Sequence, residues 1–114
     1  MKSIDGDKLR GHLEMLILSV LERGDAHGLE IIRRLEVLGC GLLRLKEGSL
    51  YPALYRLEEA GKIEGYWEEE PHGRRGARRR NYRLTAKGKR ELTKGREAWA
   101  SFVQVIGAIV GAQA

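Results

Sequence analysis

Residues 72–80 read H-G-R-R-G-A-R-R-R, and five of these nine positions are arginine: Arg74, Arg75, Arg78, Arg79 and Arg80. No acid interrupts them. The 114-residue sequence has a formal net charge of +5, so the rest of it is formally neutral and the excess charge sits on one short segment. Guanidinium groups are always charged and offer paired donors that match phosphate oxygens. Clustered in this way, they make a field that attracts a polyanion. A solvated loop kept soluble by its charge is the plain alternative.

A second group lies upstream, at E-G-S-L-Y-P-A-L-Y-R-L-E-E-A-G. Leu50, Leu54 and Leu57 follow helical spacing and predict one inward face. Tyr51 and Tyr55, four apart, share the outward face, with Pro52 and Arg56 flanking them. Ser49 suits the N-cap of this helix and Pro52 its first turn. A helix N-terminus offers backbone donors to phosphate, and Lys46 just ahead of it adds a cation. A tyrosine can bond phosphate or pack on sugar or a thymine methyl. Half-buried spacers are the alternative for both tyrosines.

Other chemistry is poorly supported. His12, His27, His72 and Cys40 show no metal-ligand spacing. No nucleophile–base pair and no phosphate-cradling loop is visible, which argues against an enzyme and implies no cofactor. Glu68, Glu69 and Glu70 read as a solvated strand end whose charge opposes the arginines.

The elements that must position these groups follow from periodicity. A first helix is predicted over residues 9–22, with Leu9, Leu13, Leu16, Ile17 and Val20 as its stripe and Met15, Leu18 and Leu21 beside or off it. So wide an apolar arc calls for two neighbours. A second helix covers 28–38, and residues 42–45 form an apolar run resembling a stub of strand. After the tyrosine helix, residues 63–70 alternate as a strand, with Ile63 and Trp67 on one face. The arginine segment follows, and residues 81–84 return as a second strand with Tyr82 and Leu84 facing in. Thr85 caps a last helix that starts charged and ends apolar, with a stripe of Trp99, Phe102, Val103, Ile106 and Val110.

Hydrophobic residues make up 42% of the chain and charged residues 32%, enough for one packed domain. One cysteine excludes an intrachain disulfide and fits a reducing compartment. The N-terminus lacks a signal-type apolar core, and residues 98–112 are too short and too interrupted to span a bilayer. These features predict a cytoplasmic protein with no membrane partner.

Three helices followed by a two-stranded hairpin is the order of a winged helix-turn-helix, whose third helix enters the major groove while the wing reaches an adjacent groove or backbone. The expected fold is therefore α+β and mainly helical. Residues 8–85 would form the DNA-binding domain and residues 86–114 an added C-terminal dimerisation helix. A monomer would leave the last apolar stripe uncovered. Burying such a stripe contributes about 10 kcal/mol gross before entropy costs. The expected interface is this helix packed on the partner's first helix, through Leu13, Ile17, Trp99, Phe102, Val103, Ile106 and Val110.

The chain also resembles the PadR family of transcriptional regulators, in its short form with one C-terminal helix. The matching stretches are L-R-G-H-L-E-M-L-I-L-S-V-L at 9–21, H-G-L-E-I at 27–31, G-S-L-Y-P-A-L-Y-R-L-E-E-A-G at 48–61 and R-R-N-Y-R-L-T-A-K-G at 79–88. One departure is Leu29, where the family more often has an aromatic residue. The resemblance implies a homodimeric repressor on a pseudopalindromic operator in double-stranded DNA. It also implies release by a small molecule in some members, with phenolic acids and hydrophobic cationic drugs as effector classes. Trp99 is then either a dimer-core side chain or a stacking platform for a flat ligand. A winged helix used only as a protein-interaction module, its arginine tip on an acidic partner, is the competing reading.

Overall fold

The computed structural model describes residues 11–69 and 78–111. The elements in chain order are α1 (Leu13–Glu22), β1 (Ala26–His27), α2 (Gly28–Leu38), α3 (Glu47–Glu59), β2 (Ile63–Trp67), β3 (Arg80–Leu84) and α4 (Ala86–Val110). This is the winged-helix order, with one strand more than the sequence suggests.

Helix α1 is the centre of the packing, in contact with α2, α3, β3 and α4. Ile17, Leu18, Val20 and Leu21 are all buried. Leu18 and Leu21, beside or off the stripe, are core residues too, because neighbours enclose the helix on several sides, as its wide apolar arc requires. Ile17 is 0% exposed within the single chain. It belongs to the protomer's own core, and no partner can reach it as an interface residue. Leu9 lies outside the described residues.

The strand missing from the sequence reading is β1. Two residues are too few to show a period of two, yet Ala26 is buried and pairs with Tyr82, and His27 pairs with Asn81. The sheet order is β1-β3-β2, all antiparallel. His27 then caps α2: its Nδ1 accepts from the Glu30 amide at 3.3 Å. Residues 42–45 carry only an isolated β-bridge, at Leu43, and otherwise form a connection whose Leu43 and Leu45 sink into the core.

Helix α3 begins three residues earlier than expected. Lys46 is its N-cap, in extended conformation, and its carbonyl accepts from the amides of Ser49 and Leu50. Ser49 is therefore a helical residue, not the cap. Lysine has no side-chain acceptor, and Glu47 in the first turn compensates by facing the positive end of the helix dipole. Pro52 consequently falls in the second turn, where its missing N–H leaves the Gly48 carbonyl without its helical donor. Both residues are exposed, so water can supply the bond. On the opposite face Leu50, Ala53, Leu54 and Leu57 are buried.

Register places Ile63 opposite Leu84, Gly65 opposite Tyr82 and Trp67 opposite Arg80. The first pair packs at the core, and Trp67 extends past the core edge into solvent. Strand β2 stops at Trp67, so Glu68 and Glu69 follow it as connection, and Glu70 lies outside the described residues.

Thr85 caps α4 as its sequence predicts, accepting from the Gly88 amide at 3.0 Å. The first half of α4 is part of the core: Leu92 is 1% exposed, Gly95 passes close to Met15, and Arg96 pairs with Glu22 at 2.7 Å. That pairing draws the Glu22 carboxyl below its ordinary range. The second half runs on with an apolar surface of Trp99, Phe102, Val105, Ile106, Ile109 and Val110, all exposed. The long axis of the molecule, 53 Å, reflects this projecting helix. Among the described residues no helix is long and apolar enough to cross a membrane.

Candidate nucleic-acid interface

The outward face of α3 is built from residues that the core cannot use. With Leu50, Ala53, Leu54 and Leu57 turned inward, Tyr51 and Tyr55 must point away, and they are 43% and 66% exposed. Pro52 and Arg56 are exposed beside them. Lys46 is exposed at the N-terminal end, and Ser49 is half-buried.

Tyr51 has a fixed place. Its ring lies against the start of α2, where Gly28 has no side chain. A Cβ there would stand 2.5 Å from the Tyr51 hydroxyl and 2.8 Å from the ring carbon bearing it. The sequence marks Gly28 only as a helix start; its role as a seat for Tyr51 depends on how α2 crosses α3. Arg56 is held at 3.3 Å by Glu14 of α1. That pair is exposed, so phosphate could replace the carboxylate at small cost.

The wing is rooted on both faces of its sheet. On one face the Tyr66 hydroxyl donates to Asp25 Oδ2 at 2.6 Å, which ties β2 to the turn before α2. This bond favours the protonated phenol and raises the Tyr66 pKa. Arg83 lies over the Tyr66 ring and bonds Glu64 at 2.8 Å. At the outer end Glu68 donates its amide to the Arg79 carbonyl, and the Arg79 amide returns to the Glu68 carboxylate at 3.1 Å. Arg79, within this closure, and Arg78, just beyond it, are both exposed. Arg74 and Arg75 lie outside the described residues.

Arg80 departs from the expectation for the arginine cluster. It is a residue of β3, and its guanidinium bonds Glu58 of α3 at 2.6 Å. It also lies 5.4 Å from the Trp67 ring centroid and 5.9 Å from that of Tyr82. Burial raises the Tyr82 pKa despite this nearby cation. Arg80 therefore faces the protein, not the tip. Strand alternation explains the difference: Arg80 shares the inward side of β3 with Tyr82 and Leu84.

Midway along α4 Trp99 stacks on Phe102, with ring centroids 5.8 Å apart and planes at 18°. His12 meets the Trp99 ring edge-on at 5.4 Å. Leu13 and Val103 are half-buried in this region.

The described residues present the outer side of α3 beside the root of the wing, and, apart from these, the apolar second half of α4. Comparison with known proteins places this arrangement. The family model described as the transcriptional regulator PadR-like family matches residues 17–94. A solved transcriptional regulator from Clostridium thermocellum shares 36% identity, covers 91% of this chain and 98% of its own, and superposes with a TM-score of 0.81. An uncharacterised protein of Lysinibacillus sphaericus is 31% identical over 90% of this chain and 92% of its own length. The transcriptional regulator YqjI of Escherichia coli is 34% identical over 76% of this chain, which spans only 39% of that relative. The match runs from the core of α1 through the first half of α4, and the chain belongs to the PadR-like family of transcriptional regulators.

Proposed function

We infer that this chain binds double-stranded DNA as a homodimeric repressor on a pseudopalindromic operator, and that a small hydrophobic or aromatic molecule releases it. The observation that carries the reading is the outer face of α3. Two tyrosines, a proline and an arginine stand exposed on a helix whose other side is fully committed to the core. A major groove about 12 Å wide accepts such a helix. Tyr51, Tyr55 and Arg56 would then meet backbone and base edges, with Lys46 and Ser49 near a phosphate. Arg78 and Arg79 would follow the backbone into the adjacent groove, whose negative potential favours arginine.

Two copies are required because a palindromic site presents two half-sites about 34 Å apart. The exposed apolar surface on the second half of α4 is the surface a second copy would cover. Trp99, with Phe102 and His12 around it, is where a flat effector would stack, close enough to that interface to alter half-site spacing.

Changing Arg78 and Arg79 together to alanine tests the wing. Each phosphate contact releases counterions, so the double variant is expected to lower the slope of log affinity against log salt by about 2 units. Binding should weaken on all duplexes alike. A slope equal to that of the unaltered protein would remove these two arginines from the interface.

A further inference from the structure

We propose that Arg80 is a positioning residue: through Glu58 it fixes the wing relative to α3, and it does not itself contact DNA. The proposal rests on the DNA-binding reading above and assigns a separate role within it. Three features converge on it. Arg80 and Glu58 join β3 to α3 at 2.6 Å, and both side chains are about one-third exposed, which limits screening of the pair. The Trp67 and Tyr82 rings lie beside the guanidinium, leaving it little room to swing outward. Gly65 supplies the third. A Cβ at that position would stand 2.6–2.7 Å from three guanidinium atoms of Arg80. The strand has no side chain where the guanidinium crosses it.

The consequence is geometric. Glu58 lies one turn beyond Leu54 on the helix that carries Tyr51 and Tyr55. Arg80 is the first residue of the strand that receives the chain from Arg78 and Arg79. The pair therefore sets the distance and angle between the two surfaces that must meet adjacent grooves together. Lysine keeps the charge, but it cannot lie flat beside two rings while bonding a carboxylate.

The test uses the full chain, with fluorescence anisotropy on a 30-base-pair duplex taken from upstream of its coding sequence, or on one selected from random duplexes. Titrations run from 50 to 300 mM salt at 10 °C, where circular dichroism verifies that each variant is folded. Glu58→Gln removes a negative charge near a polyanion, so electrostatics alone would tighten binding. The proposal expects the reverse: about tenfold weaker binding, from loss of a charge-assisted bond, at an unchanged salt slope. Arg80→Lys should match it in size and slope. Gly65→Ala, which leaves every charge in place, should also weaken binding by displacing the guanidinium. Equal or tighter binding by folded Glu58→Gln overturns the proposal, as does a slope lowered by about 1 unit in Arg80→Ala, the mark of a lost phosphate contact. If the unaltered protein binds no duplex even at 50 mM salt, the DNA-binding reading fails, and the proposal with it.

Discussion

Changing Phe102 and Ile106 together to glutamate is expected to turn the protein into a 12.9 kDa monomer that no longer holds a two-half-site duplex. Both side chains are exposed in the single chain, Phe102 at 54%. Glutamate at these positions therefore costs the protomer little. In a dimer the same positions would be dry, and a carboxylate without a cation there is strongly unfavourable. Losing the dimer removes the avidity of two linked half-sites, which is worth about 10²- to 10⁴-fold in affinity. Sedimentation velocity at micromolar concentration checks the first part and anisotropy the second. A variant that stays dimeric would show that some other surface joins the copies. The burial of Ile17 narrows where to look: in the proposed dimer a partner would meet the exposed projecting half of α4, not the buried side of α1.

The second large effect concerns Gly88, in the first turn of α4. A Cβ there would run into the backbone carbonyl of Lys62 and approach Leu84 at 2.6 Å. A backbone carbonyl in a turn between α3 and β2 cannot move aside as a flexible side chain can. Lys62 is also held in place: its carbonyl accepts from the Thr85 amide at 3.2 Å and its own amide donates to Leu57. Gly88→Ala is expected to destabilise the fold by about 3 kcal/mol, as overpacking at a rigid site does. For a domain of this size that lowers the melting temperature by roughly 15 °C. Gly48→Ala is the control. Gly48 is helical and exposed with open space around it, so alanine there should be neutral or raise stability by up to about 1 kcal/mol. Thermal unfolding followed by circular dichroism checks both, and equal melting temperatures would mean that α4 does not seat on Lys62 as described.

Gly88 also illustrates what the sequence could and could not convey. The elements with strong periodicity were legible: α1, α2, α3 and both wing strands follow from apolar spacing, and Thr85 as a cap from its position before a charged helix. The outward phase of Tyr51 and Tyr55 followed from the inward phase of Leu50, Leu54 and Leu57. The start of α3 was not legible, because Ser49 is the better cap by type while Lys46 is the cap by geometry. Only the burial of Leu43 and Leu45 fixes where the chain turns. Strand β1 was too short to carry a period.

Two functional assignments depended on contacts between distant segments. Arg80 is one of five arginines in the segment 72–80 and cannot be separated from Arg78 and Arg79 by composition. Only the strand register turns it toward Glu58, 22 positions away. Likewise Gly28, Gly65 and Gly88 are all glycines in the sequence. In the fold each is the absence of a side chain where something specific must pass: the Tyr51 ring, the Arg80 guanidinium and the Lys62 carbonyl. Close approach between elements is a property of crossing geometry, to which local periodicity is blind.

The most direct test of the central claim is fluorescence anisotropy of the unaltered protein on DNA from upstream of its own coding sequence, beside a scrambled duplex of equal composition, at 50 and 200 mM salt. Charge alone cannot distinguish sequences and fades steeply as salt rises. A protein that reads bases with α3 and grips the backbone with its wing should stay on the upstream duplex at 200 mM while leaving the scrambled one. Equal and equally salt-sensitive binding to both would contradict a base-reading role for Tyr51, Tyr55 and Arg56, and would reduce the arginine segment to a general attraction for polyanions.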